Sequence, residues 1–334
     1  MTEKKEGIRL KTVIPAAGWG TRLLPATKEQ PKEMLPVFER SLDDRILVKP
    51  FLQVVFERLY DAGSRDFCFV VGRGKRSIED HFTLDSKFLD QLEASNKIES
   101  FNELSSFYSK VNRANIVFVN QPEPTGFGAA LLRAGSFTGK DSFIVHAGDD
   151  LIVSAKNHYI KRLINAFQEN DADAVFFVQK VKNPERYGIV EAKKMRSTLL
   201  HVVRVEEKPT LPHSNLAIVA IYVFSPKIIE AIRRVQPKRN EVELTEAIQY
   251  LIDQDCSVYA LELEKGDKRI DIGTPESYWN VLQTLQKRQR NQVNTPHSKE
   301  FNFNFQSIPA FFDCSEANTP VLICRKGNIK LAKE

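Results

Sequence analysis

Residues 13–36 read VIPAAGWGTRLLPATKEQPKEMLP, a short apolar segment that runs directly into a glycine-rich turn. The apolar residues 10–15 predict a buried strand, and the turn follows at 18–22. Glycine lets a backbone turn sharply and approach a ligand closely, and the amides of such a turn can bind phosphate oxygens. Arg22 adds a planar bidentate donor for phosphate, and Lys32 adds a compact second cation. Two cations beside a phosphate-binding turn suit a reaction in which pyrophosphate leaves, because they neutralise charge on the leaving group.

Two other phosphate-binding motifs are absent from this stretch. The chain has no G-x-x-x-x-G-K-[ST] sequence, which excludes a P-loop. The dinucleotide fingerprint G-x-G-x-x-G needs a third glycine where Leu23 stands, which argues against an NAD-dependent oxidoreductase. A tight turn without a ligand is the alternative interpretation of two glycines alone. Thr21 and Arg22, with Lys32 at a fixed distance along the chain, argue against that alternative.

Strand and helix patterns alternate through the first half of the chain. Apolar side chains recur at helical spacing in 51–60 and 160–167. Short apolar runs of strand type lie at 67–71, 116–119, 143–145 and 174–178. This alternation predicts an α/β fold with a Rossmann-like central sheet, mixed but mostly parallel, with helices on both faces.

The pattern changes after Gly188, where strand-like runs become more frequent. We predict one catalytic domain over residues 8–288, with its first part at 8–180 and a smaller β-rich part at 181–288. Residues 289–334 form a partly flexible C-terminal tail in this interpretation, because 289–310 is rich in Asn, Gln, Ser and Arg. The apolar residues 320–324 suggest a terminal strand.

The composition excludes several classes of protein. Lys and Arg total 48 and Asp and Glu total 43, a net charge of +5 that is small for 334 residues and argues against a nucleic-acid partner. The apolar run 216–224 is too short to span a membrane, and the charged residues 1–7 lack the apolar core of a signal peptide. Four scattered cysteines argue against a disulfide scaffold or a zinc site. We therefore expect a reduced, cytoplasmic protein with neither nucleic acid nor membrane as a partner.

The loop QPEPTGFGAA, residues 121–130, is a candidate for binding a base. It follows a predicted strand, so it lies at the carboxyl end of the sheet, where open α/β folds bind ligands. Gln121 can donate and accept a hydrogen bond, as reading a base edge requires. Gly126 and Gly128 leave room for a flat ring. An ordinary proline-glycine loop remains the alternative for this segment taken alone.

Four further residues are candidates for binding a metal or a sugar phosphate. Asp149 and Asp271 each follow an apolar segment, and two such carboxylates can hold one Mg²⁺ that bridges phosphates. Glu207 stands beside Lys208, a pairing that suits a sugar phosphate because the acid binds hydroxyls and the amine binds phosphate. Each aspartate alone is more commonly a turn or cap residue, and Glu207-Lys208 alone is commonly a solvated strand end.

Three weaker candidates receive structural interpretations. The basic loop 72–76, GRGKR, is interpreted as solvated surface. His146 is interpreted as structural and Trp279 as helix packing.

In this order, these segments resemble the sugar-nucleotide pyrophosphorylase family of nucleotidylyltransferases, over roughly residues 8 to 285. The stretch PATKEQPKEMLP at 25–36, the insert after Phe82 and the phrase at 214–218 are most similar to the bacterial UTP–glucose-1-phosphate uridylyltransferase branch. The segment PERYG at 184–188 is shared with the related thymidylyltransferases.

The resemblance implies a nucleotide-diphospho-sugar transferase fold, with 8–180 mainly binding nucleotide and 181–288 mainly binding sugar phosphate. It implies transfer of a uridylyl group from UTP to glucose 1-phosphate, giving UDP-glucose and pyrophosphate, with Mg²⁺ as the cofactor. The sugar phosphate would attack the α-phosphorus in line, without a covalent enzyme intermediate. The residues implied are Arg22, Lys32, Asp149 and Asp271 for catalysis, the two aspartates also for Mg²⁺; Ala16, Ala17, Gly18, Gly20, Thr21, Gln121 and Gly126 for the nucleotide; and Tyr187, Gly188, Glu207 and Lys208 for the sugar phosphate.

Two positions depart from the family pattern, and alternatives stay open. Asp150 stands where relatives often carry Asn or an apolar residue, and Ala220 stands where they commonly carry Gly near the sugar. The metal geometry and the choice of sugar are therefore open. The same chemistry with dTTP or another sugar 1-phosphate is the nearest alternative, and a non-catalytic nucleotide- or sugar-phosphate-sensing subunit is the alternative of a different class. Relatives imply a homodimer or homotetramer.

Overall fold

The strand before the glycine-rich turn lies in the interior of the main sheet in a computed structural model of the chain. The structure describes residues 10–41, 45–154, 158–237, 240–293, 324–325 and 328–329. This strand, β1 (Lys11–Ala16), pairs in parallel with one neighbour on each side, and residues 12–16 are buried. A strand that is covered on both faces has no polar face, which explains its nearly continuous apolar run.

Strands and helices alternate along the first half of the described chain. The strands after β1 are β2 (Pro36–Arg40), β3 (Ile46–Pro50), β4 (Asp66–Gly72), β5 (Asn115–Gln121), β6 (Phe143–His146), β7 (Asp150–Val153), β8 (Ala174–Lys180), β9 (Gly188–Arg196), β10 (Leu199–Glu207), β11 (Leu216–Phe224), β12 (Val258–Glu262), β13 (Lys268–Asp271), β14 (Cys324–Arg325) and β15 (Asn328–Ile329). The α-helices are α1 (Phe51–Asp61), α2 (Arg76–His81), α3 (Ser86–Ala94), α4 (Ile98–Asn112), α5 (Phe127–Arg133), α6 (Gly135–Thr138), α7 (Tyr159–Glu169), α8 (Lys227–Arg234), α9 (Leu244–Asp253) and α10 (Pro275–Val293).

Within the described ranges, nine strands form the main sheet, in the order β5-β4-β1-β6-β11-β8-β12-β10-β9. β10 and β11 run against the other strands, which share one direction. The predicted mixed, mostly parallel sheet is therefore confirmed. Three antiparallel pairs of strands among the described residues are not part of it: β2 with β3, β7 with β13, and β14 with β15.

The sheet separates two apolar cores. Alternate residues of β1 and β4 point to opposite faces, so Ile14 and Phe69 enter one core while Val13 and Val70 enter the other. Helices α1, α4, α7 and α10 cover the first core, and α5, α8 and α9 cover the second. The prediction of helices on both faces is confirmed.

Two predictions about individual side chains are wrong. The loop 72–76 is not wholly solvated, because the side chain of Lys75 is 8% exposed and forms an ion pair with the buried Glu33. Trp279 does not pack in the core: it is 61% exposed, because α10 turns Val281 and Leu285 towards the core instead.

The chain divides into two compact units, Met1–Gln292 and Val293–Glu334. The predicted division at residue 180 and the role of the tail stay predictions. Most of the tail lies outside the described residues, as does the strand predicted at 320–324 except for Cys324, which begins β14.

Candidate active site

The turn after β1 presents backbone amides and Arg22 to solvent. Gly20 adopts a φ of 66°, which glycine tolerates without strain, and Thr27 Oγ1 donates to its carbonyl oxygen at 2.8 Å. Ala16 and Ala17 are buried at the base of the turn, whereas Gly18, Thr21 and Arg22 are exposed. A short 3-10 turn follows at Thr21–Leu23. The segment predicted to bind phosphates is therefore held at its base and open at its tip.

Lys32 and Asp149 come together although 117 residues separate them. Lys32 begins a second 3-10 turn, Lys32–Met34, and its Nζ donates to Asp149 Oδ2 at 2.5 Å. Burial opposes the charged form of Lys32, but the carboxylates of Asp149 and Glu33 outweigh burial and raise its pKa. Burial likewise opposes the charged form of Asp149, and the ammonium of Lys32 outweighs it and lowers the pKa of Asp149. Both groups are therefore held charged at neutral pH.

The ribbon of β7 and β13 places Asp271 beside the segment that carries Asp149. The register of the ribbon sets Asp271 opposite Asp150, and the amide of Ile272 donates to the carbonyl oxygen of Asp149 at 2.9 Å. Burial raises the pKa of Asp271, and the negative charges of Asp150 and Asp149 add to the rise. Such neighbouring carboxylates repel one another unless a cation lies between them.

Gly273 lies close to the side chains of both Asp271 and Arg22. A Cβ built at Gly273 would lie 2.7 Å from Asp271 Oδ2 and 3.6 Å from Arg22 Nη2, so both side chains converge on this glycine. The structure therefore brings the four predicted catalytic residues, Arg22, Lys32, Asp149 and Asp271, to one end of the sheet.

The sequence left open how Asp150 affects the metal site. In the structure Asp150 is buried in an ion pair with Arg269, so it is not a further free carboxylate at the site. Its oxygens accept from Nε of Arg269 at 2.8 and 3.0 Å, and Nη2 of Arg269 lies 2.7 Å from Oδ2. The side chain of Asp150 is 2% exposed. This ion pair joins the two strands of the ribbon next to Asp149 and Asp271. Arg269 was not identified from the sequence, since an arginine two residues before an aspartate is unremarkable in itself.

Asp149 and Asp271 fit Mg²⁺ as a two-carboxylate set. No cluster of three or more His, Cys, Asp or Glu side chains able to hold a metal occurs within the described part of the chain. Mg²⁺ does not require one, because it usually binds through one or two carboxylates together with phosphates and water. Burial raises the pKa of Asp271, the carboxylates of Asp150 and Asp149 add to the rise, and a bound cation would offset the repulsion between these carboxylates.

The loop after β5 is packed against the segment before α9. Gln121 is 4% exposed and its Nε2 donates to the carbonyl oxygen of Gly126 at 3.3 Å. A Cβ at Gly126 or at Gly128 would lie 2.7 Å from backbone atoms of Val242. The backbone of Val242 therefore fills the space beside both glycines. The sequence-based expectation was that this space is open to a flat ring, and the structure differs from it.

Backbone hydrogen bonds fix this contact. The amide of Val242 donates to Thr125 O at 2.8 Å, and the amide of Gly128 donates to Val242 O at 2.9 Å. This contact could not be predicted from local pattern, because 114 residues separate Gly128 from Val242 and no pairing pattern links them.

The four residues predicted to bind the sugar phosphate cluster where β9 meets β10. Gly188 and Glu207 are register partners, and the amide of Lys208 donates to Tyr187 O at 3.0 Å. Glu207 Oε1 lies 2.9 Å from Lys208 Nζ, and its Oε2 accepts from Thr245 Oγ1 at 3.1 Å. A Cβ at Gly188 would lie 2.7 Å from Thr245 Cγ2 and 3.1 Å from Glu207 Oε2, so a side chain here would crowd both residues.

His146 and Ala220 have structural contacts. His146 is fully buried, and its Nδ1 lies 2.9 Å from Ala147 O, which confirms the structural interpretation. The carbonyl oxygen of Ala220 accepts from the amide of Ala147 at 2.9 Å, which joins β11 to the segment that leads to Asp149. Among the described residues, no helix has the length and apolarity needed to cross a membrane.

Comparisons with known proteins identify the family of the chain. The model of the nucleotidyl transferase family matches residues 11–288. The chain is 40% identical over 269 residues to the UTP–glucose-1-phosphate uridylyltransferase 1 of Staphylococcus saprophyticus, covering 79% of this chain and 88% of that one. It is 38% identical over 269 residues to the UTP–glucose-1-phosphate uridylyltransferase of Bacillus subtilis, covering 79% and 86%.

Solved structures show the same fold. A UDP-glucose pyrophosphorylase complexed with UDP-glucose aligns with a TM-score of 0.71 at 27% identity, over 84% of this chain and all of that one. The UTP-bound enzyme of Acinetobacter baumannii aligns with a TM-score of 0.73 at 26% identity, over 86% and 99%. With the family model matched over most of its length and curated relatives near 40% identity, this chain belongs to the nucleotidyl transferase family, as its motifs predicted.

Proposed function

We propose that the protein transfers a uridylyl group from UTP to glucose 1-phosphate and releases pyrophosphate. The observation that carries this proposal is the convergence of Arg22, Lys32, Asp149 and Asp271 at one end of the sheet. The relatives with the highest identities named above carry this activity in their names, and a structural neighbour holds UDP-glucose, the product of the proposed reaction.

The proposed reaction is a single in-line displacement. A phosphate oxygen of glucose 1-phosphate attacks the α-phosphorus of UTP, a new P–O bond forms, and the bond to the β-phosphate breaks as pyrophosphate leaves. Neither a serine nor a cysteine nucleophile is needed. Catalysis of this kind is mainly positioning and neutralisation of charge.

The cations act on charge that builds during the displacement. The exposed amides of the turn at 18–22, with Arg22, bind the departing phosphates in this proposal. Lys32 is held charged next to Asp149 and stabilises the transition state. Asp149 and Asp271 would hold Mg²⁺, which when bound would neutralise phosphate oxygens and orient the two substrates.

The remaining site residues are proposed to set specificity. Ala16, Ala17, Gly18, Gly20 and Thr21 line the nucleotide, and Gln121 with Gly126 reads the uracil edge. Tyr187, Gly188, Glu207 and Lys208 hold glucose 1-phosphate, with the carboxylate of Glu207 towards sugar hydroxyls and the amine of Lys208 towards phosphate. Thr245 orients Glu207 through the hydrogen bond of 3.1 Å.

The test is pyrophosphate release with Mg²⁺ and glucose 1-phosphate, with UTP, dTTP, GTP, ATP and CTP supplied in turn. Release with UTP alone supports the proposal. Equal release with UTP and dTTP would reject uridine specificity and leave the thymidylyl alternative in place. No release with any nucleotide, followed by failure of a panel of other sugar 1-phosphates, would point to the sensing subunit.

A variant pair tests the metal assignment. Asp271→Asn should raise the Mg²⁺ concentration that gives half-maximal activity, because it removes one of two carboxylates. Asp253→Asn changes an exposed aspartate on α9 in the same way and is the matched control. Unchanged Mg²⁺ dependence in Asp271→Asn would remove this residue from the metal site.

Three further predictions also belong to the proposal. We propose a homodimer or homotetramer, which light scattering during gel filtration measures. We also propose that residues 8–180 mainly bind the nucleotide and residues 181–288 mainly bind the sugar phosphate. The third prediction is a cytoplasmic location. These rest on the family resemblance and on the composition of the chain.

A further inference from the structure

A buried ion pair lies directly behind Lys32. Lys75 Nζ is 2.7 Å from Glu33 Oε2, and the two side chains are 8% and 2% exposed. Lys75 comes from the loop between β4 and α2, and Glu33 follows Lys32 in the turn Lys32–Met34. The proposed reaction does not use either residue.

The pair completes a row of alternating charges. Lys75 contacts Glu33, Glu33 is the next residue to Lys32, and Lys32 contacts Asp149 at 2.5 Å. The loop that carries Lys75 also packs on the nucleotide turn, because a Cβ at Gly72 would lie 2.8 Å from the carbonyl oxygen of Ala17. The ion pair is thus joined at both ends to segments of the candidate active site.

Glu33 is a potential competitor for the ammonium of Lys32. Burial raises the pKa of the Glu33 carboxyl, and the charges of Lys75 and then Lys32 are the main opposing influences. A buried carboxylate that loses its partner is strongly unfavourable, so it takes the nearest cation or a proton. Without Lys75, the remaining cation whose charge acts on Glu33 is Lys32, and its ammonium would be drawn away from Asp149 and the substrate phosphates.

We propose that Lys75 is a positioning residue for Lys32, which it serves by satisfying the charge of Glu33. The inference rests on the proposed function, since it assigns Lys32 to the transition state. Lys75 itself does not contact substrate in this proposal, so its loss should lower kcat more than it changes the KM for either substrate.

The experiment compares Lys75→Met with Lys49→Met. Methionine keeps the length of the stem and removes the charge. Lys49 Nζ lies 2.9 Å from Glu57 Oε2, with exposures of 13% and 14%, so this pair is a matched control away from Lys32. By analogy with groups that orient the ligands of metal sites, Lys75→Met should lower kcat about 10- to 100-fold. Lys49→Met should keep the parent kcat per folded molecule, with the folded fraction measured by circular dichroism.

The double variant Glu33→Gln/Lys75→Met tests the cause. It removes both charges, so no carboxylate competes for Lys32, and kcat should recover at least tenfold relative to Lys75→Met. A double variant as slow as the single variant would overturn the proposal. A kcat in Lys75→Met equal to that of Lys49→Met would overturn it as well.

A charge swap keeps the test decisive if Lys75→Met does not fold. Glu33→Lys/Lys75→Glu retains an ion pair but places a second cation next to Lys32. If the ion pair only stabilises the fold, the swapped variant should keep the parent kcat, and this result would overturn the proposal. If Lys75 positions Lys32 by satisfying the charge of Glu33, the swapped variant should lose at least tenfold in kcat.

Pulsed acetylation read by mass spectrometry separates this inference from the proposed function. The Lys32 amine should be labelled more slowly in Lys75→Met than in the parent, with the 76% exposed Lys28 as internal standard. Unchanged labelling would overturn the inference whatever reaction the protein catalyses. A parent that is inactive with every nucleotide and sugar phosphate, yet shows the slower labelling, would overturn only the proposed function.

Discussion

Removal of one partner from the ion pair between Asp150 and Arg269 should strongly destabilise the β7–β13 ribbon. Arg269→Met keeps much of the stem but leaves a carboxylate that is 2% exposed without its cation, beside Asp149 and opposite Asp271. Loss of one partner from a buried ion pair costs about 3–5 kcal/mol in free energy of unfolding. For a chain of this size the loss corresponds to a fall in Tm of roughly 4–7 °C.

Urea and thermal unfolding followed by circular dichroism measure this effect. The control is Arg204→Met. Arg204 and its partner Glu206 form an exposed ion pair, with side chains that are 47% and 40% exposed, so its loss should cost less than about 1 kcal/mol in free energy of unfolding. Asp150→Asn/Arg269→Met should regain most of the lost stability, because it leaves no buried charge. A loss in Arg269→Met no larger than in Arg204→Met would refute the reasoning, as would a double variant as unstable as the single one.

Three further predictions concern rate, packing and pH. Lys32→Ala should lower kcat about 100- to 1000-fold with the fold intact, since Lys32 acts on developing charge; a near-parent rate would remove it from catalysis. Gly128→Ala should cost about 1–3 kcal/mol and raise the KM for UTP, because the new Cβ would lie 2.7 Å from Val242 O. Gly135→Ala, whose nearest neighbour is at 3.9 Å, is its control, and equal effects of the two would contradict the packing argument. Burial lowers the pKa of His81 to about 4 in the folded protein. Between about pH 6.5 and 4, His81 therefore gains a proton only in the unfolded chain. His81 should therefore lower the free energy of unfolding by about 1.4 kcal/mol for each unit by which the pH drops through that window, and should have no effect above it. Buried His146, whose pKa is also lowered to about 4, adds its own contribution, so His81→Gln should reduce the slope measured by urea unfolding by about 1.4 kcal/mol per pH unit rather than abolish it.

Local pattern was sufficient to predict the main sheet. The apolar run before Gly18 has no polar face, and such runs require helices on both sides, which α1 and α5 provide on opposite faces of β1. Lys32, Asp149 and Asp271 could be named because each follows a recognisable motif. The parallel order of β1 and β6 brings the turn after β1 and the segment of Asp149 to the same end of the sheet, whereas the β7–β13 ribbon places Asp271.

Charge pairing was the part that local pattern could not predict. Lys75 lies in a sequence of Gly, Arg and Lys that is typical of solvated loops, yet its amine lies 2.7 Å from a carboxylate 42 residues away. Trp279 shows the reverse error, because it was interpreted as a helix-packing residue and is 61% exposed.

The chain order of apolar runs, glycine turns and isolated charges by itself determined the fold class, the family and the identity of the catalytic candidates, because each of these depends on residues close together in sequence. Tertiary structure alone decided which charges are paired. Asp150 faces Arg269, Lys75 faces Glu33, and Val242 fills the space beside Gly126, over separations of 119, 42 and 116 residues. The physical reason is that an ion pair or a backbone contact depends on distances of about 3 Å in space, which a one-dimensional pattern does not contain until the sheet has brought its segments together.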